Sequence, residues 1–96
     1  MNRVVLTAQL VERQALRYTP AGLPVQDLKL LHESEVSEAG VPRKVSFEMR
    51  AVGIGTVAGP LGRWAVGDTA TVAGFLGPLF RGKSVVLHIT EYQPQL

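Results

Sequence analysis

Short runs in which apolar and polar side chains alternate follow one another along this sequence, separated by glycine and proline. The first run covers residues 4–11, and its apolar positions on one face are Val4, Leu6, Ala8 and Leu10. A period of two residues indicates a β-strand. Val5 and Val11 make the other face partly apolar, so a barrel interior on one side and a partner subunit on the other would bury both.

The remaining runs and the segments between them predict a small all-β barrel. Further strands are expected at residues 25–33, 43–52, 69–76 and 83–92. A polar, acidic stretch at 34–42 predicts a mobile loop, and the five glycines of residues 53–68 predict a loop with about one short helical turn. Gly74 inside the fourth strand predicts a bulge or a sharp bend. Five strands with little helix favour a five-stranded OB-fold barrel.

Size and composition limit what else the chain could be. We expect 96 residues to form one domain, residues 1–96, because so short a chain does not build two cores. The hydrophobic fraction of 46% argues against disorder. No apolar run is long enough for a transmembrane helix, so we predict no membrane contact. The absence of cysteine excludes disulfides and thiolate metal sites and makes the cytoplasm the default location.

The distribution of charge matters more than its sum, because a formal net charge of +2 is too small to indicate a polyanion partner. Acidic residues concentrate at Glu33, Glu35 and Glu38. Basic residues concentrate in three places, Arg13 with Arg17, Arg43 with Lys44 and Arg50, and Arg81 with Lys83. This segregation predicts one basic face.

Two aromatic residues lie beside arginines in predicted loops, as Arg17-Tyr18 and Phe80-Arg81. A ring in such a place can stack on an unpaired base while the arginine neutralises phosphate, although a solvated loop with an incidental ring is an open alternative. For Phe47, Phe75 and Trp64 we predict packing in the core or over a barrel end.

Residues 77–84, GPLFRGKS, match the phosphate-binding pattern G-x-x-x-x-G-K-[ST] letter for letter. A phosphate cradle needs a helix after the loop, whereas the β-branched residues that follow predict a strand. We therefore predict a hairpin here. Each of the two histidines, His32 and His88, lacks a second ligand at metal spacing, so we predict structural roles for them. Nothing in the sequence supports catalysis, a metal or a cofactor.

The segment 2–31 joins a strand, a basic and aromatic loop ending in Pro20-Ala21-Gly22, and a second strand. This arrangement resembles the bacterial single-stranded-DNA-binding proteins. The resemblance implies a dimeric OB-fold in which the edge of the first strand contributes to the dimer and DNA follows a basic groove. Arg17 stands where the family has a basic residue before the loop.

The small replication-restart branch of that family is the better match. The printed sequence ends after the fifth strand, without the long Gly/Pro/Gln-rich tail with an acidic tip of the larger members. The His-Glu-Ser of residues 32–34 and Gly74-Phe75 also resemble this branch. The resemblance implies binding of single-stranded DNA, a homodimer, and partnership with the restart helicase PriA and other primosome proteins.

The predicted DNA-binding residues are Arg13, Arg17, Tyr18, Lys44, Ser46, Arg50, Phe80, Arg81 and Lys83. Some relatives carry a stacking tryptophan where Ser46 stands and basic residues where Glu12 and Glu33 stand, so we expect weaker DNA binding here. One alternative is an OB-fold module that recruits the helicase, with vestigial DNA binding. Another is a small nucleotide hydrolase built on the 77–84 turn.

Overall fold

The computed structural model describes residues 1–79 and 82–95. Within them the chain forms six strands and one short helix, in the order β1 (Val4–Arg13), β2 (Arg17–Tyr18), β3 (Pro24–Glu38), β4 (Val41–Ile54), α1 (Ala58–Gly62), β5 (Thr69–Pro78) and β6 (Val85–Pro94). A 3₁₀ turn, Gly55–Val57, leads into α1. No helix of the described residues is long and apolar enough to cross a membrane.

Five of the strands close into a barrel. β1 pairs antiparallel with β3 and with β5, β3 pairs antiparallel with β4, β6 pairs antiparallel with β5, and β4 pairs parallel with β6. The two-residue β2 adds to the outer edge of β3. This closed five-stranded arrangement, with a helix between the third and fourth barrel strands, confirms the predicted OB-fold.

The barrel interior is filled by aliphatic side chains from every barrel strand, and α1 closes one end with Leu61. Trp64 follows the helix and is buried, as predicted. Its indole Nε1 donates to the carbonyl of Asp68 at 2.9 Å, and its ring packs against Tyr92 with centroids 5.3 Å apart. The glycine-rich connection therefore serves as a plug for the barrel.

An irregularity of the kind predicted at Gly74 lies beside it, with Thr90 of β6 as the extra residue. The register between β5 and β6 shifts between Ala73 and Gly74. A Cβ atom on Gly74 would overlap the carbonyl oxygen of His88, so the two backbones approach this closely because residue 74 has no side chain.

The predicted loop at residues 34–42 was wrong. β3 runs on to Glu38, the chain turns at Ala39 and Gly40, where φ is 52° and 77°, and β4 begins at Val41. Polar residues on both faces suggested a loop, but this part of the hairpin extends past the pairing of β3 with β1, which ends at Leu31. A strand outside the barrel needs no apolar face to form its backbone ladder.

The predicted burial of Phe47 and Phe75 was also wrong, since their exposed fractions are 37% and 41%. Phe47 lies on the hairpin opposite His32, with ring centroids 5.1 Å apart. Phe75 alternates along β5 with Val72 and Leu76, which contact the core, so its side chain faces outward. It stacks on His88 with centroids 4.7 Å apart and an interplanar angle of 6°.

Candidate nucleic-acid interface

Seven polar side chains, between Lys29 and Glu35 of β3 and between Lys44 and Arg50 of β4, share one face of the hairpin, which we call the outer face. Lys29 pairs with Arg50, Glu33 with Ser46, and Glu35 with Lys44 across the two strands. Because side chains alternate between the faces of a strand, the predicted residues Lys44, Ser46 and Arg50 lie on one side. The full set is Lys29, Glu33, Glu35, Lys44, Ser46, Glu48 and Arg50.

The outer face carries both signs of charge. Glu35 stands directly opposite Lys44, and the Nζ of Lys29 lies 3.5 Å from Oε1 of Glu48. Its three basic residues are therefore matched by three glutamates. The acidic stretch predicted as a separate loop is instead the partner strand of the basic residues, so the two signs are interleaved.

A groove of about 480 Å³ opens at the barrel end of the outer face. Its lining residues are Glu12, Gln14, Arg17, Asp27, Leu28, Lys29, Arg50, Ala51 and Val86. The guanidinium and ammonium groups of Arg17, Lys29 and Arg50 come together here although they are far apart in sequence. Cationic groups along one groove are suited to a phosphate backbone.

Lys29 was not among the predicted site residues. Its alternation with Leu28 and Leu30 marked it as outward-facing, which was the available signal. Its position beside Arg50 depends on the register between β3 and β4, which a single sequence does not reveal.

Arg17 is held in the groove by Asp27. Nε of Arg17 donates to Oδ2 of Asp27 at 2.6 Å, and Nη2 donates to Oδ1 at 3.2 Å. This hydrogen bonding, with the attraction of the carboxylate, raises the pKa of Arg17 above its ordinary value against the opposing effect of burial. Arg17 is therefore fixed in orientation, and part of its charge is neutralised by Asp27.

Tyr18 stands at the mouth of a closed loop. It pairs with Pro24, and the loop beyond it is fastened by hydrogen bonds between Thr19 N and Leu23 O at 2.9 Å and between Gly22 N and Thr19 O at 2.8 Å. Gly22 takes a φ of 87°, which favours glycine. The side chain of Tyr18 is exposed, with an exposed fraction of 63%, so its ring is accessible for stacking.

The other predicted residues lie elsewhere. Arg13 points away from the outer face, and its Nη1 donates to the carbonyl of Trp64. Lys83 is exposed in the turn between β5 and β6. Phe80 and Arg81 lie outside the described residues.

Comparison with known proteins decides the family. The sequence profile of a family described as "Another single-strand binding protein family" matches residues 2–91. Replication restart protein PriB of Bordetella pertussis is 44% identical over 92 residues, which cover 95% of this chain and 86% of that protein. This chain belongs to the PriB family of single-strand binding proteins.

A further relative and two solved structures agree with that assignment. Replication restart protein PriB of Nitrosomonas europaea is 33% identical, with 94% and 84% of the two chains covered. The solved structure of PriB from Ralstonia solanacearum superposes with a TM-score of 0.92 at 38% identity and covers 100% of this chain and 99% of that one. The single-stranded DNA binding protein of Thermus aquaticus gives a TM-score of 0.78 at 27% identity, with 100% and 50% covered.

The histidines of this PriB-family chain are engaged in protein contacts. Nδ1 of His32 lies 2.7 Å from the carbonyl oxygen of Thr7, and its Nε2 lies 2.9 Å from Oγ of Ser34. Nε2 of His88 lies 3.2 Å from the carbonyl oxygen of Pro78. The described residues contain no group of three or more His, Asp or Glu side chains that could hold a metal ion.

The phosphate-loop pattern at residues 77–84 is followed by a strand. β6 begins at Val85, directly after Ser84. A strand offers no helix N-terminus to a phosphate. The pattern is therefore followed by the second strand of a hairpin, as the sequence predicted.

Proposed function

We propose that this PriB-family protein binds single-stranded DNA without sequence preference and acts in replication restart, as the names of its relatives suggest. The observation that carries the proposal is the meeting of Arg17, Lys29 and Arg50 in one groove beside the outer face of an OB-fold. A polyanion lying along that groove would meet all three cations at once.

The proposed mechanism is electrostatic neutralisation with some stacking. Arg17, Lys44, Arg50 and Lys83 neutralise phosphates, together with Lys29, and the exposed ring of Tyr18 stacks on a base. Phe80 and Arg81 extend this set as predictions. The glutamates of the outer face repel phosphates, so we expect a modest affinity that falls as salt is added.

The proposed partners are the restart helicase PriA and other primosome proteins, and the proposed location is the cytoplasm, where replication takes place. We assign the protein no catalytic step of its own. ATP hydrolysis by the purified protein that disappears in Lys83→Ala would contradict that assignment.

We also propose a homodimer formed through β1. Residues 4–8 pair with β5 along one edge, and no described strand pairs with their second edge, where only the His32 side chain contacts the carbonyl of Thr7. Val5 is 57% exposed on this segment. An unpaired strand edge beside exposed apolar surface favours pairing with another chain. Sedimentation of the wild-type protein should show a dimer, and Val5→Glu should shift it toward monomer. The control Val66→Glu, at a valine of similar exposure (61%), should leave the dimer intact.

A salt titration of oligo-dT binding tests the DNA proposal. Each phosphate contact on a single strand contributes about −0.7 to the log–log slope. The double variant Lys44→Ala with Arg50→Ala should weaken binding and flatten the slope. Arg43→Ala is the matched control, because Arg43 lies on the opposite face of the same strand, paired with Glu38. No binding at low salt, or equal effects of the two variants, would contradict the proposal.

A second candidate function is a protein-interaction module that recruits the helicase while DNA binding is vestigial. The interleaved glutamates of the outer face favour it, because they offset the basic residues. Helicase stimulation that survives the Lys44→Ala and Arg50→Ala changes would support this alternative over the first.

A further inference from the structure

A second groove of about 480 Å³ lies on the other side of Gln14 from the first. The segment between β1 and β2 forms one wall with Ala15 and Leu16, and α1 forms the other with Ala58 and Gly59. The groove is separate from the outer face of β3 and β4, so what it binds can be argued independently of DNA.

The walls of this groove are aliphatic. Leu16 is half-exposed at its edge, and Pro24 contributes a further apolar surface. None of its described lining residues is aromatic or acidic. Concave aliphatic surface that is open to solvent is typical of a binding site for an apolar side chain.

The floor of the groove holds one polar group, the side-chain amide of Gln26, which is 3% exposed. Its Nε2 donates to the carbonyl of Gln14 at 2.6 Å, which fixes the direction of the amide. Its Oε1 lies 3.4 Å from the place that a Cβ on Gly62 would occupy, and no described residue donates a hydrogen bond to it. No fully buried side-chain N or O atom of the described residues lacks a partner, so this oxygen is open to the groove, where it suits an N–H donor from a ligand.

Two arginines flank the groove. Arg13 is anchored by the bond from its Nη1 to the carbonyl of Trp64, which uses one of its five N–H donors. Arg63 follows α1 and is exposed, and its Nη1 lies 3.8 Å from the place of a Cβ on Gly59. With two cations and no carboxylate among the lining residues, the groove is complementary to negative charge.

We propose that this groove binds an acidic peptide segment of a partner protein. An aliphatic side chain of the peptide lies between Leu16 and α1, its carboxylates meet Arg13 and Arg63, and a main-chain N–H donates to Oε1 of Gln26. A nucleic acid fits the same charges less well, because the groove offers no ring on which a base could stack. This assigns Arg13, expected from sequence to contact DNA, to peptide binding.

Fluorescence anisotropy with a short labelled peptide, in which aspartate and glutamate alternate with leucine, tests the proposal. The wild-type protein should bind this probe and should bind poorly a version with lysine in place of the acids. Arg63→Glu should weaken binding about tenfold, and Ala15→Glu should do the same. Ala15→Lys is matched in position and should preserve or strengthen binding, whereas Arg43→Glu, on the hairpin, should leave it unchanged.

Competition with oligo-dT separates this groove from the DNA interface. The proposal predicts that excess oligo-dT leaves the peptide bound. Displacement of the probe by oligo-dT would overturn it, because the peptide would then share a nucleic-acid site. Equal binding of the acidic and basic probes, or an unchanged affinity in both Arg63→Glu and Ala15→Glu, would also overturn it. If the protein failed to bind oligo-dT, the results expected for the peptide probes would be the same.

Discussion

Gly74 lies in β5 directly against the backbone of His88 in β6. Its missing side chain lets the backbone of His88 occupy the space where a Cβ would lie. Gly74→Ala should therefore lower the free energy of unfolding by about 3 kcal/mol or more, because the atom it meets is backbone and has little freedom to move. Urea unfolding followed by the fluorescence of Trp64 would measure this.

The control for that substitution is Gly59→Ala. A Cβ on Gly59 meets Arg63 Nη1 at 3.8 Å, an ordinary contact, so the stability should change by about 1 kcal/mol or less. Equal stability of the two variants would show that the bulge tolerates a side chain.

Tyr92, which packs against the buried Trp64, makes the stability of the protein depend on pH in the alkaline range. Burial, and then the charge of Asp68, raise its pKa above the ordinary 10.0, while Arg63 opposes them. The folded protein thus keeps the phenol proton to higher pH than the unfolded chain. The contribution of Tyr92 to stability is therefore fully present below pH 10.0 and is lost as the pH rises through the raised pKa.

Thermal unfolding across that range would test the effect in the wild type and in Tyr92→Phe. The phenylalanine variant keeps the ring against Trp64 and should lose part of the alkaline decline. Identical pH profiles for the two proteins would contradict the assignment of the decline to Tyr92.

The β3–β4 hairpin determines the charge that the outer face presents. Glu35 stands opposite Lys44, so Glu35→Gln should raise the affinity for oligo-dT at low salt, by up to about fivefold, since two charges about 4 Å apart in water interact by about 1 kcal/mol. The gain should shrink as salt is added. Anisotropy titrations at two salt concentrations would measure it.

Glu38→Gln is the matched control for that change. Glu38 belongs to the same hairpin but to its opposite face, where its carboxylate pairs with Arg43. This control should raise the affinity for oligo-dT less than Glu35→Gln does. An equal gain would mean that net charge, rather than the position of the glutamate, governs DNA binding.

The hairpin also shows why part of the molecule could be predicted and part could not. Alternation identified β1 and the inward Leu28 and Leu30, because those strands bury one face in the barrel. The same reasoning missed the strand at residues 34–42, where neither face enters the core. Phe75 was expected inside because it is a large apolar ring, although its alternation with Val72 and Leu76 places it on the outward face.

For the whole molecule, fold and family could be predicted from sequence more completely than the site. The turn residues and strand periods predicted a five-stranded barrel, and the segment 2–31 predicted the family. The juxtaposition of Arg17, Lys29 and Arg50, and the pairing of Arg17 with Asp27, depend on strand register and loop geometry. A single sequence carries little information about either.

The central claim is that single-stranded DNA lies along the outer face and the groove beside it. Amide chemical shifts of the labelled protein, recorded by NMR while oligo-dT is added, test this claim most directly. We predict the largest changes at Arg17, Lys29, Ser46 and Arg50, with smaller ones at Leu16 and Arg63. Changes confined to the second groove, or no changes at low salt, would contradict the account.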